Sequence, residues 1–256
     1  MNNKIQNAFK GGKAFIPFVV AGDPSIDATA DCIVAMAEAG ADIVEIGIPF
    51  SDPVADGPVI QAANIRALEK GVSVRNVFEL VKQIRVKSTV PLVLLTYLNP
   101  VYFFGYEDFF TECKSVGIDG IIIPDLPFEE QNEVADVAAK YSVDLISLIT
   151  PASGDRVAMI AEKAKGFLYF VSSMGTTGVR DEIKTNINAV IESVRKVSDI
   201  PVAIGFGISR TEQAAELSKY ADGIIVGSAI VELIQKHGES ATTHVHDYVK
   251  TMKSVL

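Results

Sequence analysis

Residues 119–149 hold the run Asp119-Gly120-Ile121-Ile122-Ile123, a helical pattern over 129–141, and the run Val143-Asp144-Leu145-Ile146-Ser147-Leu148-Ile149. After its aspartate the first run has no polar side chain, which suits a strand covered on both faces better than one alternating between core and water. A helix of this length between two such runs is the crossover of a parallel βαβ unit.

The same unit recurs in both directions. Strands are expected at 15–21, 42–47, 91–97, 119–123, 143–149, 167–172, 201–205 and 222–226, with helical patterns such as 27–39, 156–164 and 211–219 between them. Eight parallel strands with interposed helices predict an α/β fold closed as a (β/α)8 TIM barrel rather than a doubly wound open sheet. Extra helices are expected at 57–69 and 74–86 after the second strand, and at 244–254 near the end. The 256 residues match the length of one such barrel, and no Ser/Gly linker or shift of composition divides them, so one domain is expected over 1–256.

Hydrophobic residues make up 48% and charged residues 21%, the balance of a water-soluble globular chain. A net charge of −9 without any basic run leaves nothing to attract a nucleic-acid backbone. Cys32 and Cys113 fall in helical stretches with no CxxC or zinc spacing, as expected of core thiols in a reducing compartment. The apolar run 14–21 contains Pro17 and ends at Gly22-Asp23-Pro24, so it reads as a buried strand and not an export signal. The expected location is cytoplasmic.

In a TIM barrel, chemistry gathers where strands end and βα loops begin. The second strand carries Glu45 two residues from its end, between Val44 and Ile46. Apolar surroundings raise a carboxyl pKa and make a general acid, a contribution of roughly 10² to 10⁴ in rate. A glutamate paired with lysine or arginine inside the barrel fits the same position, and the sequence leaves both readings open. The next loop, Pro49-Phe50-Ser51-Asp52-Pro53-Val54-Ala55-Asp56-Gly57-Pro58, is stiffened by three prolines. Asp56 on it is more solvated than Glu45 and suits a base; Asp52, and alternatively Asp56, suits a turn or helix cap.

The seventh strand runs into Gly205-Phe206-Gly207-Ile208-Ser209 and the eighth into Val226-Gly227-Ser228-Ala229. Paired glycine loops after the last two strands, the second opening a helix, form a phosphate site from backbone N–H groups and a helix dipole, although either loop alone is also an ordinary turn. Residues 172–180, polar and glycine-bounded, read as a lid or as a plain connector. His237, His244 and His246 all follow the last strand, which disfavours a histidine-bound catalytic metal. No lysine ends a strand, so a Schiff-base aldolase lacks its nucleophile. Acid/base catalysis by carboxylates is left.

The segment 45–58 resembles the tryptophan synthase α family, as do Ala21-Gly22-Asp23-Pro24, Tyr97-Leu98-Asn99-Pro100, Pro124-Asp125-Leu126-Pro127 and residues 205–209, all in family order. The resemblance implies cleavage of indole-3-glycerol phosphate to indole and glyceraldehyde 3-phosphate in tryptophan biosynthesis. By it, Glu45 protonates C3 of the indole ring and Asp56 takes or stabilises the ring N–H proton. Phe18, Leu95, Ile122, Tyr169 and Phe206 match the walls of the indole pocket, a role that overlaps with plain core filling. Thr177 matches a lid threonine that hydrogen-bonds Asp56, and Gly178, Gly207, Gly227 and Ser228 match phosphate-binding positions. No cofactor is implied in this chain; pyridoxal phosphate belongs to a β-subunit partner in an α2β2 assembly, docked near Pro49, Asp52, Pro53 and Asn99. The lid differs from many relatives beside Thr177, and the segment before residue 15 is short, which predicts an abbreviated first helix. The alternatives are a free-standing lyase of the same family or a catalytically silent phosphate-binding barrel. The synthase that makes indole-3-glycerol phosphate would need a strand-end lysine.

Overall fold

The computed structural model describes residues 3–171, 180–205 and 207–256. Along the chain run α1 (Lys4–Ala8), β1 (Ala14–Val20), α2 (Ile26–Glu38), β2 (Val44–Gly47), α3 (Pro58–Glu69), α4 (Val74–Lys87), β3 (Leu92–Leu95), α5 (Leu98–Phe104), α6 (Tyr106–Val116), β4 (Gly120–Ile122) and α7 (Asn132–Lys140). The remainder comprises β5 (Asp144–Ile149), α8 (Arg156–Lys163), β6 (Leu168–Val171), α9 (Arg180–Arg195), β7 (Val202–Gly205), α10 (Thr211–Leu217), β8 (Gly223–Val226), α11 (Ser228–His237) and α12 (Ala241–Lys253). The strands close in sequence order into one parallel barrel, β1 pairing with β8.

Period-two alternation divides each strand between two cores. Outward residues such as Phe15, Val44, Leu94, Ile121, Phe170 and Ile224 join the layer under the helices. Inward residues Ile16, Ile43, Val93, Ile122, Ile146, Phe167, Ala203 and Ile225 fill the barrel. Both sets are almost wholly shielded from water, which is why the strands read as continuous apolar runs.

The amino-terminal mouth is closed from outside. α1 is five residues long, and Ile5 from it packs into the interior cluster at 1% exposure. Phe9 follows, its ring 5.7 Å from that of Phe167.

Around the same mouth, Asp42, Asp119 and Asp222 start β-ladders with their own side chains. Their carboxylates accept from the backbone N–H of Phe15 (2.7 Å), Leu92 (3.0 Å) and Val202 (2.8 Å) on neighbouring strands. Lys253, Arg85 and Arg195 respectively pair with these carboxylates. Each aspartate also donates its own backbone N–H to the carbonyl of the same neighbouring residue, at 3.0, 2.9 and 2.8 Å, and β2, β4 and β8 begin after the aspartates at which the sequence pattern starts.

Two helices follow β3, where the sequence reading named none. Gly105, at φ +93°, separates α5 from α6, and such a break between two short apolar segments hides their periodicity. Cys32 and Cys113 lie buried in α2 and α6 as free thiols, and burial pushes the Cys32 thiol up to about 11.

Candidate active site

Strand alternation puts Glu45 on the inward face of β2, two residues beyond Ile43, level with Phe18 on β1 and Val93 on β3. It is 1% exposed, and its Oε2 has no hydrogen-bond partner. Among the described residues no lysine or arginine forms an ion pair with it, so the internal salt-bridge reading fails. Burial first, and the charge of Asp56 second, push its carboxyl up to about 8 from an ordinary 4.5. The glutamate is therefore largely protonated at neutral pH.

Asp56 has a different setting. It sits half-buried on the β2–α3 loop, its backbone N–H bonded to the Pro53 carbonyl at 3.1 Å. Asn64 Nδ2 donates to Asp56 Oδ2 at 3.0 Å, and the Tyr97 hydroxyl bonds the same carboxylate. Burial raises its pKa, and these two hydrogen bonds offset part of that rise. The helix-cap alternative fails for both aspartates, because α3 begins at Pro58 and its N-cap is Gly57. Asp52 is exposed and accepts from the Ser51 hydroxyl at 2.5 Å.

Of the expected pocket walls, Phe18, Leu95, Ile122 and Tyr169 lie on strands of the barrel that holds Glu45. Phe18 is 4% exposed, Ile122 is fully buried, and Leu95 packs against both the barrel interior and the cluster containing Phe18. Tyr169 is raised well above the usual phenol range by burial and by the charges of Glu45 and Asp56, which places it electrostatically beside both. Room for the two rings comes from missing side chains. A Cβ on Gly47 would stand 2.7 Å from Phe18 Cζ, and one on Gly205 would stand 2.5 Å from the Tyr169 hydroxyl.

At the phosphate positions, Gly227 precedes the ten-residue helix α11, which starts at Ser228. The first intrahelical bonds run from Ile230 and Val231 to the Gly227 carbonyl, at 2.9 and 3.1 Å. The N–H groups of Ser228 and Ala229 lie ahead of that ladder, at the positive end of the helix dipole. Gly227 is close to Phe18, 3.4 Å from a built Cβ to Cδ1, so the start of α11 adjoins the apolar pocket. Gly207 has φ +75° and open space around it. Thr177, Gly178 and Phe206 lie outside the described residues.

Asn64 and Tyr97 were not singled out from sequence, although Asn64 left a signal. With Ile60, Ala63 and Ala67 it occupies the inward stripe of α3, where a polar residue needs a partner. Asn99 is exposed in the first turn of α5, whereas Pro49 is buried and lies beneath the loop surface. Val54, Tyr102 and Phe103 are apolar and exposed on the β2–α3 loop and α5. No group of three or more His, Cys, Asp or Glu among the described residues could hold a metal ion.

A family model described as Tryptophan synthase alpha chain matches residues 5–255. The chain is 52% identical over 249 residues to the tryptophan synthase alpha chain of Lactiplantibacillus plantarum, covering 97% of this chain and 94% of that one. With the tryptophan synthase alpha chain of a Thermoanaerobacter species, identity is 47% over 261 residues, covering 99% and 100%. Among solved structures, the tryptophan synthase alpha subunit of Legionella pneumophila superposes with a TM-score of 0.90 at 33% identity, covering 100% of this chain and 98% of that one. A chain of the Pyrococcus furiosus tryptophan synthase a2b2 complex gives 0.87 at 38%, covering 95% and 99%. Barrel, buried glutamate, loop aspartate and near-complete matches in sequence and structure agree: the chain belongs to the tryptophan synthase alpha chain family.

Proposed function

We infer that this chain is a carbon–carbon lyase that cleaves indole-3-glycerol phosphate to indole and D-glyceraldehyde 3-phosphate in L-tryptophan biosynthesis. The observation that carries this reading is a pair of carboxyl groups in unequal environments. Glu45 is buried and held neutral near pH 7, and Asp56 is steadied by two hydrogen bonds at the rim. Environments that separate two carboxyl groups in this way assign one as acid and the other as base.

Glu45 donates its proton to C3 of the indole ring while Asp56 takes the ring N–H proton, giving the indolenine tautomer. The bond from C3 to the glycerol carbon then breaks in retro-aldol fashion. The carboxylate left on Glu45 accepts the hydroxyl proton as the aldehyde forms, and the N–H proton returns from Asp56 as the aromatic ring is restored. Phe18, Leu95, Ile122 and Tyr169 bind the flat bicyclic ring by apolar contact, with Phe206 assigned by resemblance. Gly207, Gly227 and Ser228, with Gly178 by resemblance, hold the phosphate through backbone N–H groups. Thr177 is assigned the hydrogen bond to Asp56. The chain itself supplies all of this chemistry without a cofactor.

Indole is apolar and membrane-permeant, so it is passed to a pyridoxal-phosphate β subunit seated on the face that bears Val54, Tyr102 and Phe103. The protein works as one domain over 1–256 in the cytoplasm. Indole release from indole-3-glycerol phosphate, measured with and without a cognate β chain, tests this reading. Slow release by the isolated chain and a large stimulation by the partner are expected. Fast, partner-independent release would identify a free-standing lyase, and no release in either case would identify a silent barrel.

A further inference from the structure

Asp56 sits on a loop whose neighbours Ser51, Asp52, Val54 and Ala55 are exposed, yet its carboxylate is fastened by two of the most buried polar side chains in the upper barrel. Tyr97 is 1% exposed at the entrance to α5, and Asn64 is 3% exposed on α3. The Tyr97 hydroxyl oxygen accepts from the Ala55 N–H at 3.1 Å. A phenol has one proton to give, and its remaining partner is the Asp56 carboxylate. The ring of Phe50, from the same loop, lies against the Tyr97 ring with centroids 5.4 Å apart. One buried side chain thus grips the β2–α3 loop at Phe50, at the Ala55 backbone and at Asp56.

We propose that Tyr97, seconded by Asn64, is a positioning residue for the proton transfers: it holds the Asp56 carboxylate in its working orientation before substrate binds. The inference rests on Asp56 acting as the base in the reading above. Without Tyr97 and Asn64, a single aspartate on an exposed turn would sample several rotamers, and the acceptor for the ring N–H proton would be misplaced. Among the described residues, the groups facing Asp56 are Glu45 from β2, Tyr169 from β6, Asn64 from α3 and Tyr97 itself; Asp125, on the loop after β4, adds its charge at Tyr97. Of these, only Tyr97 and Asn64 donate hydrogen bonds that favour the ionised form of Asp56.

The test is the pH profile of indole release by the full chain carrying Tyr97→Phe, which keeps the ring and its contact with Phe50 and removes only the hydroxyl. The acid limb of kcat/KM should move up by about one pH unit, and kcat at neutral pH should fall about tenfold, as expected on losing one hydrogen bond to a charged acceptor. KM should change little. Asn64→Leu, similar in volume, should shift the acid limb in the same direction, which keeps the idea open to refutation if the tyrosine variant does not fold. In an Asp56→Asn background, Tyr97→Phe should cost nothing further. An unmoved acid limb with unchanged kcat in a folded variant overturns the proposal, as does an equal loss in the Asp56→Asn background. Full turnover in Asp56→Asn alone overturns the base assignment and this inference with it.

Discussion

Replacing Glu45 with glutamine should stop cleavage and, over one range of pH, make the fold more stable relative to wild type. The native carboxyl titrates at about 8 against an ordinary 4.5, so between those values the folded protein keeps a proton that the unfolded chain has released. With more protons bound in the native state, stability falls as pH rises through this window. The slope is about 1.4 kcal/mol per pH unit, which amounts to roughly 4 kcal/mol between pH 5 and 8. Glutamine fills the same space, stays neutral throughout and contributes only a pH-independent offset.

Subtracting the two denaturation curves cancels the other titrating groups, so the quantity to measure is the difference in unfolding free energy in urea at several values of pH from 5 to 9. The wild type should lose ground to the variant steadily up to about pH 8, then run parallel. Parallel curves throughout would refute the claim that burial holds Glu45 neutral. Turnover above a tenth of wild type, with an unchanged circular dichroism spectrum, would reject Glu45 as the acid.

Two further predictions concern the glycines of the seventh strand and the loop after it. Gly207→Asp places a negative charge in open space beside the proposed phosphate and should weaken a glycerol-phosphate analogue at least about tenfold in calorimetry, whereas Gly207→Ala should lose far less; equal affinity for the aspartate variant would move the phosphate elsewhere. Gly205→Ala drives a methyl group into the Tyr169 ring, 2.5 Å from its hydroxyl and 2.7 Å from Cε1, and should cost about 1–3 kcal/mol of stability while weakening an indole analogue. An unchanged melting temperature and an unchanged affinity would show that Tyr169 has room to move.

The barrel was legible from sequence because each strand is buried on both faces, and a run such as Gly120-Ile121-Ile122-Ile123 permits few other readings. Glu45 was legible for the same reason: a single ionisable residue in an apolar run has either a partner or a shifted pKa, and the structure shows the shift. Strand starts were not, since Asp42, Asp119 and Asp222 join the ladder through their side chains as well as through their backbone N–H groups. The support of Asp56 was hidden by distance along the chain: Tyr97 lies 42 residues from Ala55, and no local pattern ties a strand-end tyrosine to the loop after the neighbouring strand. Pro49 illustrates the converse limit, because loop membership says nothing about which side of the loop faces water.

Ile5 and Phe9 plug the amino-terminal mouth of the barrel, so among the described residues the way in is at the carboxyl ends of the strands. Substrate arrives, and indole departs, through the same doorway at the carboxyl ends of the strands. A β subunit seated across that doorway covers the way in, so admission and hand-over must alternate in time, or a side gap must stay open for the phosphate ester. Traffic at one mouth then sets an order of events on a machine whose chemistry alone would impose none.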